Sequence, residues 1–284
     1  MAGGMAMARS VSAATPSASG DEALSDWTEQ FAREVDHRLD VPPADQQGYI
    51  LLLQQALAKD SLAAVAGQSV VLVDRSPQVQ AAMVLVRTQA GGWHWLGATA
   101  VSTGKMGTFE HFLTPLGVFA HTPDNPDFRA EGTLNKNHIR GYGLRGKRVF
   151  DFGWQLAERG WGNGGTSKMR LQMHATDPRV LEPRLGRIAS EGCIRIPATL
   201  NVFLDVHGVL DADYEAAVAS GEKLWILKAS RQTISWPGRN LVIVDSLATE
   251  RPLWSPLPTT PGAKPAPTAP LPANVNPLSL SATL

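Results

Sequence analysis

The chain has 284 residues, 43% of them hydrophobic and 18% charged, with Lys plus Arg equal to Asp plus Glu and a formal net charge of zero. That length bounds one or two domains with a real core, and the charge balance argues against nucleic acid as the main partner. A lone cysteine, Cys193, excludes an internal disulfide and a multi-cysteine zinc site, and nothing in the sequence asks for a metal or cofactor.

No run of about 18 apolar residues occurs, so no transmembrane helix is predicted. The N-terminal stretch "MAGGMAMARSVSAATPSASG" lacks the apolar centre of a signal peptide, although "SVSAA" reads like the small-residue region around a cleavage site. Residues 1–24 are expected to form a disordered segment. From Ser25 the pattern turns helical: Trp27, Phe31, Val35 and Leu39 recur every four residues, and Pro42-Pro43 end the run. A second helix is predicted over 44–59, with Tyr49, Leu52, Leu53, Ala56 and Leu57 as its apolar stripe. Together they make a helical prefix over 25–66.

From Gly67 the texture becomes short strands and turns. "SVVLVDRS", "VQAAMVLVRT", "GGWHWLGATAVSTG", "TPLGVFAHT", "KMRLQMHAT", "KLWILKAS" and "NLVIVDS" are strand candidates. The predicted fold is therefore mainly β, sandwich-like, with a few helices: a catalytic-type domain over 67–230 and a C-terminal strand extension over 231–255. One internal helix is well marked in "IPATLNVFLDVHGVL", with Pro197 at its start and Gly208 as its cap. Eight of the twenty prolines follow Ser255, so 256–284 reads as a proline-rich disordered tail.

The chemistry-bearing stretch is "SEGCIR", Ser190 to Arg195. A lone cysteine is more often an inert small hydrophobe than a nucleophile. Here a polar, glycine-containing turn presents Cys193 shortly before a helix, and a helix dipole or a nearby imidazole would lower its pKa. In "KMRLQMHAT", Met169, Leu171 and Met173 alternate with Arg170, Gln172 and His174, which puts His174 on the polar face at the strand's end. It is the best partner for Cys193. His37, His94 and His207 read as structural or surface residues, whereas His111, His121 and His138 lie in loops where each is a weaker candidate for ligand contact. The basic, glycine-rich segment "KNHIRGYGLRGKRVF", Lys136 to Phe150, reads either as a cap over a cleft that attracts anions or as a solvated loop. "GWGNGGTSK" lacks the Gly-Lys-Ser/Thr order of a phosphate loop, and the Thr114–Gly117 turn reads as structural.

These segments resemble the L,D-transpeptidase (YkuD-type) catalytic domain of bacterial cell-wall enzymes. That family carries a histidine, about fifteen residues, then Ser/Thr-His-Gly-Cys-apolar-Asn/Arg; here His174 is followed by fifteen residues and "SEGCIR". "VSTGKMGTFEHFLTPLGVF" is similar to the family's STGK…TPxGxF stretch, and "VLVDRSPQVQ" to its opening strand pair. One departure is plain: Glu191 stands where the family has a second histidine.

The resemblance implies that Cys193 is the nucleophile and His174 the general base and acid, with Gly192 in the oxyanion region. Ser190 or a backbone carbonyl would orient His174. Arg195 would bind a substrate carboxylate or pair with Glu191, and His138 is a further substrate-binding candidate. The implied activity is cysteine acyl transfer on peptidoglycan stem peptides through a thioester, with a second stem or a wall-linked protein as acceptor. That activity belongs to cell-wall organisation and cell shape, in the periplasm or cell envelope. The alternatives on the same fold are a cysteine carboxypeptidase or endopeptidase-type hydrolase, and a non-catalytic wall-binding module.

Overall fold

The computed structural model describes residues 18–60 and 66–255. Strand outweighs helix, and the strands form two mixed sheets. The elements in chain order are α1 (Ala18–Glu34), α2 (Pro43–Lys59), β1 (Gln68–Asp74), β2 (Ala81–Arg87), β3 (Trp93–Ala100), β4 (Gly117–Ala120), β5 (Phe128–Arg129), β6 (Arg148–Glu158), β7 (Thr166–Ala175), β8 (Ile194–Ile196), α3 (Ala198–His207), α4 (Ala212–Ala219) and β9 (Asn240–Val244). The first sheet has the order β3-β2-β1-β9-β4 and the second β5-β6-β7-β8.

Near-continuous apolar runs in β1, β2 and β9 have a simple cause: the first sheet is buried on both faces. Val71, Val73, Ala82, Val84, Leu241 and Ile243 face inward onto Phe150, Leu171, Met173, Ile194 and Ile196 of the second sheet. Val70, Leu72, Met83, Leu85 and Val242 face outward and are covered by Tyr49, Leu53 and Leu57 of α2. Truncating Leu53, which is fully buried, would cost about 2–5 kcal/mol. Within the helical prefix, α2 thus packs directly on the outer face of the first sheet. β9, expected as a C-terminal extension, lies inside the first sheet, parallel to β1 and antiparallel to β4.

Several boundaries differ from the sequence expectations. α1 begins at Ala18, inside the segment predicted to be disordered; the rest of that segment (1–17) and the proline-rich tail (256–284) lie outside the described residues. α1 also ends at Glu34 rather than running on to Pro42, because His37 takes a left-handed φ of 53° and Arg38 bridges Thr99. α3 matches its signals, with Pro197 as N-cap and Gly208 in the left-handed region as C-cap. "KLWILKAS" is not a strand: Trp225 is 73% exposed, and the Ile226 carbonyl accepts from Arg129 instead of a sheet neighbour.

The longest strand, β6, was not predicted. Its alternation is interrupted by Gly153, whose φ of 76° forms a bulge between Asp151 and Trp154. The extra residue keeps Asp151 opposite Gln172 and sets Trp154 opposite Arg170 on the outer face, while Phe150 and Phe152 stay in the core.

Candidate functional site

The second sheet has two unlike faces. Met169, Leu171 and Met173 point into the core, so Arg170, Gln172 and His174 point outward along β7. β8 runs parallel to β7 with Arg195 opposite His174 and Ile194 opposite Met173. Cys193, the residue before β8, therefore arrives next to Gln172 and the carbonyl of Arg170, to which its Sγ donates at 3.7 Å. The fold brings Cys193 and His174 to adjacent strands on one face.

The turn that carries the cysteine is fixed by two threonines. Thr103 accepts at its carbonyl from the N–H groups of Ala189 and Ser190, and is itself clamped by Gln80, a fully buried residue at φ 53°. Thr114 donates from Oγ1 to Gly192 O at 2.7 Å and accepts from Gly104 N at 2.8 Å. Phe112 N bonds Glu191 O, and Lys105 N bonds Ser190 O. Both "STGK" and "FLTPLG" thus serve to position the "SEGC" turn. Gly192 has a φ of 131°, and a Cβ there would lie 2.9 Å from Met169 Sδ and 3.1 Å from Phe112 Cβ. Only glycine fits.

His174 is buried, and its Nδ1 lies 2.7 Å from Ala175 O. A carbonyl only accepts, so Nδ1 carries the proton and Nε2 holds the free lone pair of a base. Burial holds the imidazole down to about 4; the Ala175 carbonyl opposes this and the Arg195 charge adds to it. Burial also pushes the Cys193 thiol up to about 11, against a backbone hydrogen bond with Gln172 and the charge of Arg195, with Glu191 and Asp151 adding to the rise. The resting pair is therefore a neutral thiol beside a neutral imidazole. The sequence expectation of a helix-lowered thiolate fails for a physical reason. β8 separates Cys193 from α3, whose first residue is Ala198, and burial outweighs the favourable charges. No hydrogen bond joins Sγ to the imidazole among the described residues; such bonds commonly tighten only when substrate binds.

The other expected site residues separate clearly. Ser190 Oγ bonds the Cys193 carbonyl and accepts from Gly192 N at 3.2 Å, so it braces the turn rather than His174. Arg195 donates to Ala189 O at 3.0 Å and has no carboxylate within ion-pair distance among the described residues. Its guanidinium, held below its usual pKa by burial, stays available beside the thiol. Glu191 is exposed. His138 is exposed at a left-handed φ of 56°, and its backbone N–H closes a turn onto Asn135 O; nothing brings it to Cys193 or His174. His111 lies against the Lys105 carbonyl, and His121 is sealed in an ion cluster away from any ligand.

The segment Lys136–Phe150 divides. Its last residues enter β6, where Arg148 is fully buried and bonds Asp127 and Asp211 instead of facing anions. Its middle does cover the outer face: Tyr142 packs edge-on against His174, centroids 4.6 Å apart. A cleft of about 570 Å³ opens beside it, lined among others by Phe128, Glu131, Asn135, Ile139 and Tyr142. Sequence reading missed Tyr142, Gln172 and Asp151. The available signal was that Gln172 shares the outward face of β7 with His174. No protein-family model matches the chain, and no curated protein matches it.

Proposed function

We propose that the protein is a cysteine acyl-transferase of the L,D-transpeptidase type, acting on peptidoglycan stem peptides in the cell envelope. The observation that carries this reading is that Cys193, the residue before β8, leads into a strand paired with the end of β7 that carries His174, with the two resembling segments folded around the cysteine turn. The sandwich-like arrangement of two sheets is in keeping with the same resemblance.

In this reading His174 Nε2 takes the thiol proton as Sγ attacks the amide carbonyl of the stem, and the C–N bond breaks. The departing amine of D-alanine receives that proton, leaving a thioester on Cys193. An acceptor amine, from a second stem or a wall-linked protein, then attacks the thioester; its proton passes through Nε2 back to the thiol. A neutral imidazole suits this role, since only the unprotonated form accepts. Arg195, which forms no salt bridge among the described residues, suits a substrate carboxylate through its planar fork of donors. Water in place of the amine would make the same site a hydrolase.

A second reading, a non-catalytic wall-binding module, draws on the thiol pushed up to about 11 beside an exposed Glu191. Incubation with tetrapeptide muropeptides and an amine acceptor tests between them. The proposal expects D-alanine release with a cross-linked product, both absent in Cys193→Ala. Release without cross-linking would make the protein a hydrolase, and binding without release would make it a module.

A further inference from the structure

On the outer face of the second sheet a chain of contacts begins at a buried carboxylate and ends at the base. Asp151, 2% exposed, accepts from Arg170 Nε at 2.9 Å, from Gln172 Nε2 at 2.8 Å and from Gly153 N at 2.8 Å. With its Nε2 committed to a carboxylate, the Gln172 amide must present Oε1 in the other direction. That oxygen accepts from the Tyr142 hydroxyl at 3.1 Å. The Tyr142 ring then lies edge-on against His174, and Phe128 packs against its other side with centroids 5.4 Å apart. Tyr142 also lines the 570 Å³ cleft, so it stands as a wall between that cleft and the base.

We propose that Asp151, Gln172 and Tyr142 form a positioning relay that holds the Tyr142 ring over His174 and keeps the imidazole shielded from water until substrate enters. The inference rests on the reading of Cys193 and His174 as the reacting pair, and it adds three positioning residues to that pair. Tyr142 is 41% exposed and belongs to a loop, and its side chain is held by the hydroxyl bond to Gln172 and by ring packing on Phe128 and His174. Among the described residues, the groups set against His174 are Arg195 opposite it on β8, Tyr142 from the loop, and the apolar Val149 opposite it on β6. Among them Tyr142 is the one able to move without disturbing a strand.

The test uses the full chain and reads His174 directly, by following its imidazole resonances with pH in wild type and in Tyr142→Ala, Tyr142→Phe and Gln172→Met. The relay predicts that the wild-type ring titrates far below an ordinary histidine. In Tyr142→Ala it should move up toward about 6.5. Tyr142→Phe and Gln172→Met, which keep the ring but cut its tie, should fall between. A His174 titration unchanged in Tyr142→Ala, or Tyr142→Phe and Gln172→Met indistinguishable from wild type, overturns the relay. Iodoacetamide alkylation of Cys193 supplies a second readout: its pH midpoint should fall in Tyr142→Ala as water reaches the site, and an unmoved midpoint counts against the proposal. Neither measurement depends on a peptidoglycan substrate. Failure of the transpeptidase reading would instead appear as absence of acyl transfer with the His174 shifts intact.

Discussion

Two buried histidines in this protein have opposite fates. His174 has one ring nitrogen on a carbonyl and the other without a side-chain hydrogen bond among the described residues, so the ring is neutral and keeps a lone pair. His121 has Nδ1 at 2.9 Å from Leu210 O and Nε2 at 3.0 Å from both Asp127 oxygens, so both nitrogens must donate and the ring is a cation. Burial opposes that charge, but the Asp127 carboxylate outweighs it and holds the imidazole above its usual pKa. Arg148 shares the cluster, bonding Asp127 and, through both Nη atoms, Asp211. Equal burial thus yields a neutral ring in one place and a charged ring in the other. What separates them is how many acceptors the fold supplies.

The sharpest way to break this contrast is to strike the ion cluster. Arg148→Met leaves Asp211 without its bidentate partner and Asp127 with His121 as its remaining cation, and it should lower stability by about 3–5 kcal/mol in a denaturant titration. Cys193→Ala should stay close to wild type in the same experiment. Equal losses would mean that the cysteine turn, not the cluster, holds the fold.

The pH dependence of stability should bend in opposite directions for the two rings. An unfolded chain protonates histidine near 6.5, whereas folded His174 resists a proton until about 4. Its contribution is therefore complete above about 6.5 and declines by about 3 kcal/mol as pH falls toward 4. His121, with its folded pKa raised, contributes fully below about 6.5, and that share is lost as pH rises through the raised value. Urea titrations should show the acid-side loss relieved in His174→Asn and the alkaline-side loss relieved in His121→Gln. An unchanged acid limb in His174→Asn would contradict the assignment of a neutral ring.

Smaller effects sharpen the site itself. Thr114→Val removes both the hydrogen bond to the Gly192 carbonyl and the acceptor of Gly104 N, and it should slow thiol acylation by about fivefold while lowering stability by about 1–3 kcal/mol. Glu191→Gln removes an exposed charge that opposes thiolate formation and should speed alkylation of Cys193 at pH 8 by about two- to threefold. Slower alkylation in Glu191→Gln would show that the carboxylate supports the thiolate instead.

Local patterning made the continuous apolar strands, α2 and α3 legible, because both faces of the first sheet are buried and α3 carries proline and glycine at its ends. The outward-facing place of His174 at the end of β7 was legible from alternation in "KMRLQMHAT", whereas its choice as partner of Cys193 rested on the family resemblance. β6 was hidden by the Gly153 bulge, which breaks the two-residue period on which strand reading depends. Arg148 looked like part of a basic loop because its partners Asp127 and Asp211 are distant in sequence. Tyr142 was hidden for the same reason, since its tie to Gln172 spans a loop and two strands. The neutral resting state of the pair follows from burial, which no local motif records.

Acyl transfer at this site requires Cys193 to be an acylatable nucleophile. Incubation with a carbapenem followed by intact-mass measurement tests it most directly. One covalent adduct is expected on the wild-type chain and none on Cys193→Ala. A wild-type chain that stays unmodified, or an adduct that persists in Cys193→Ala, would contradict it.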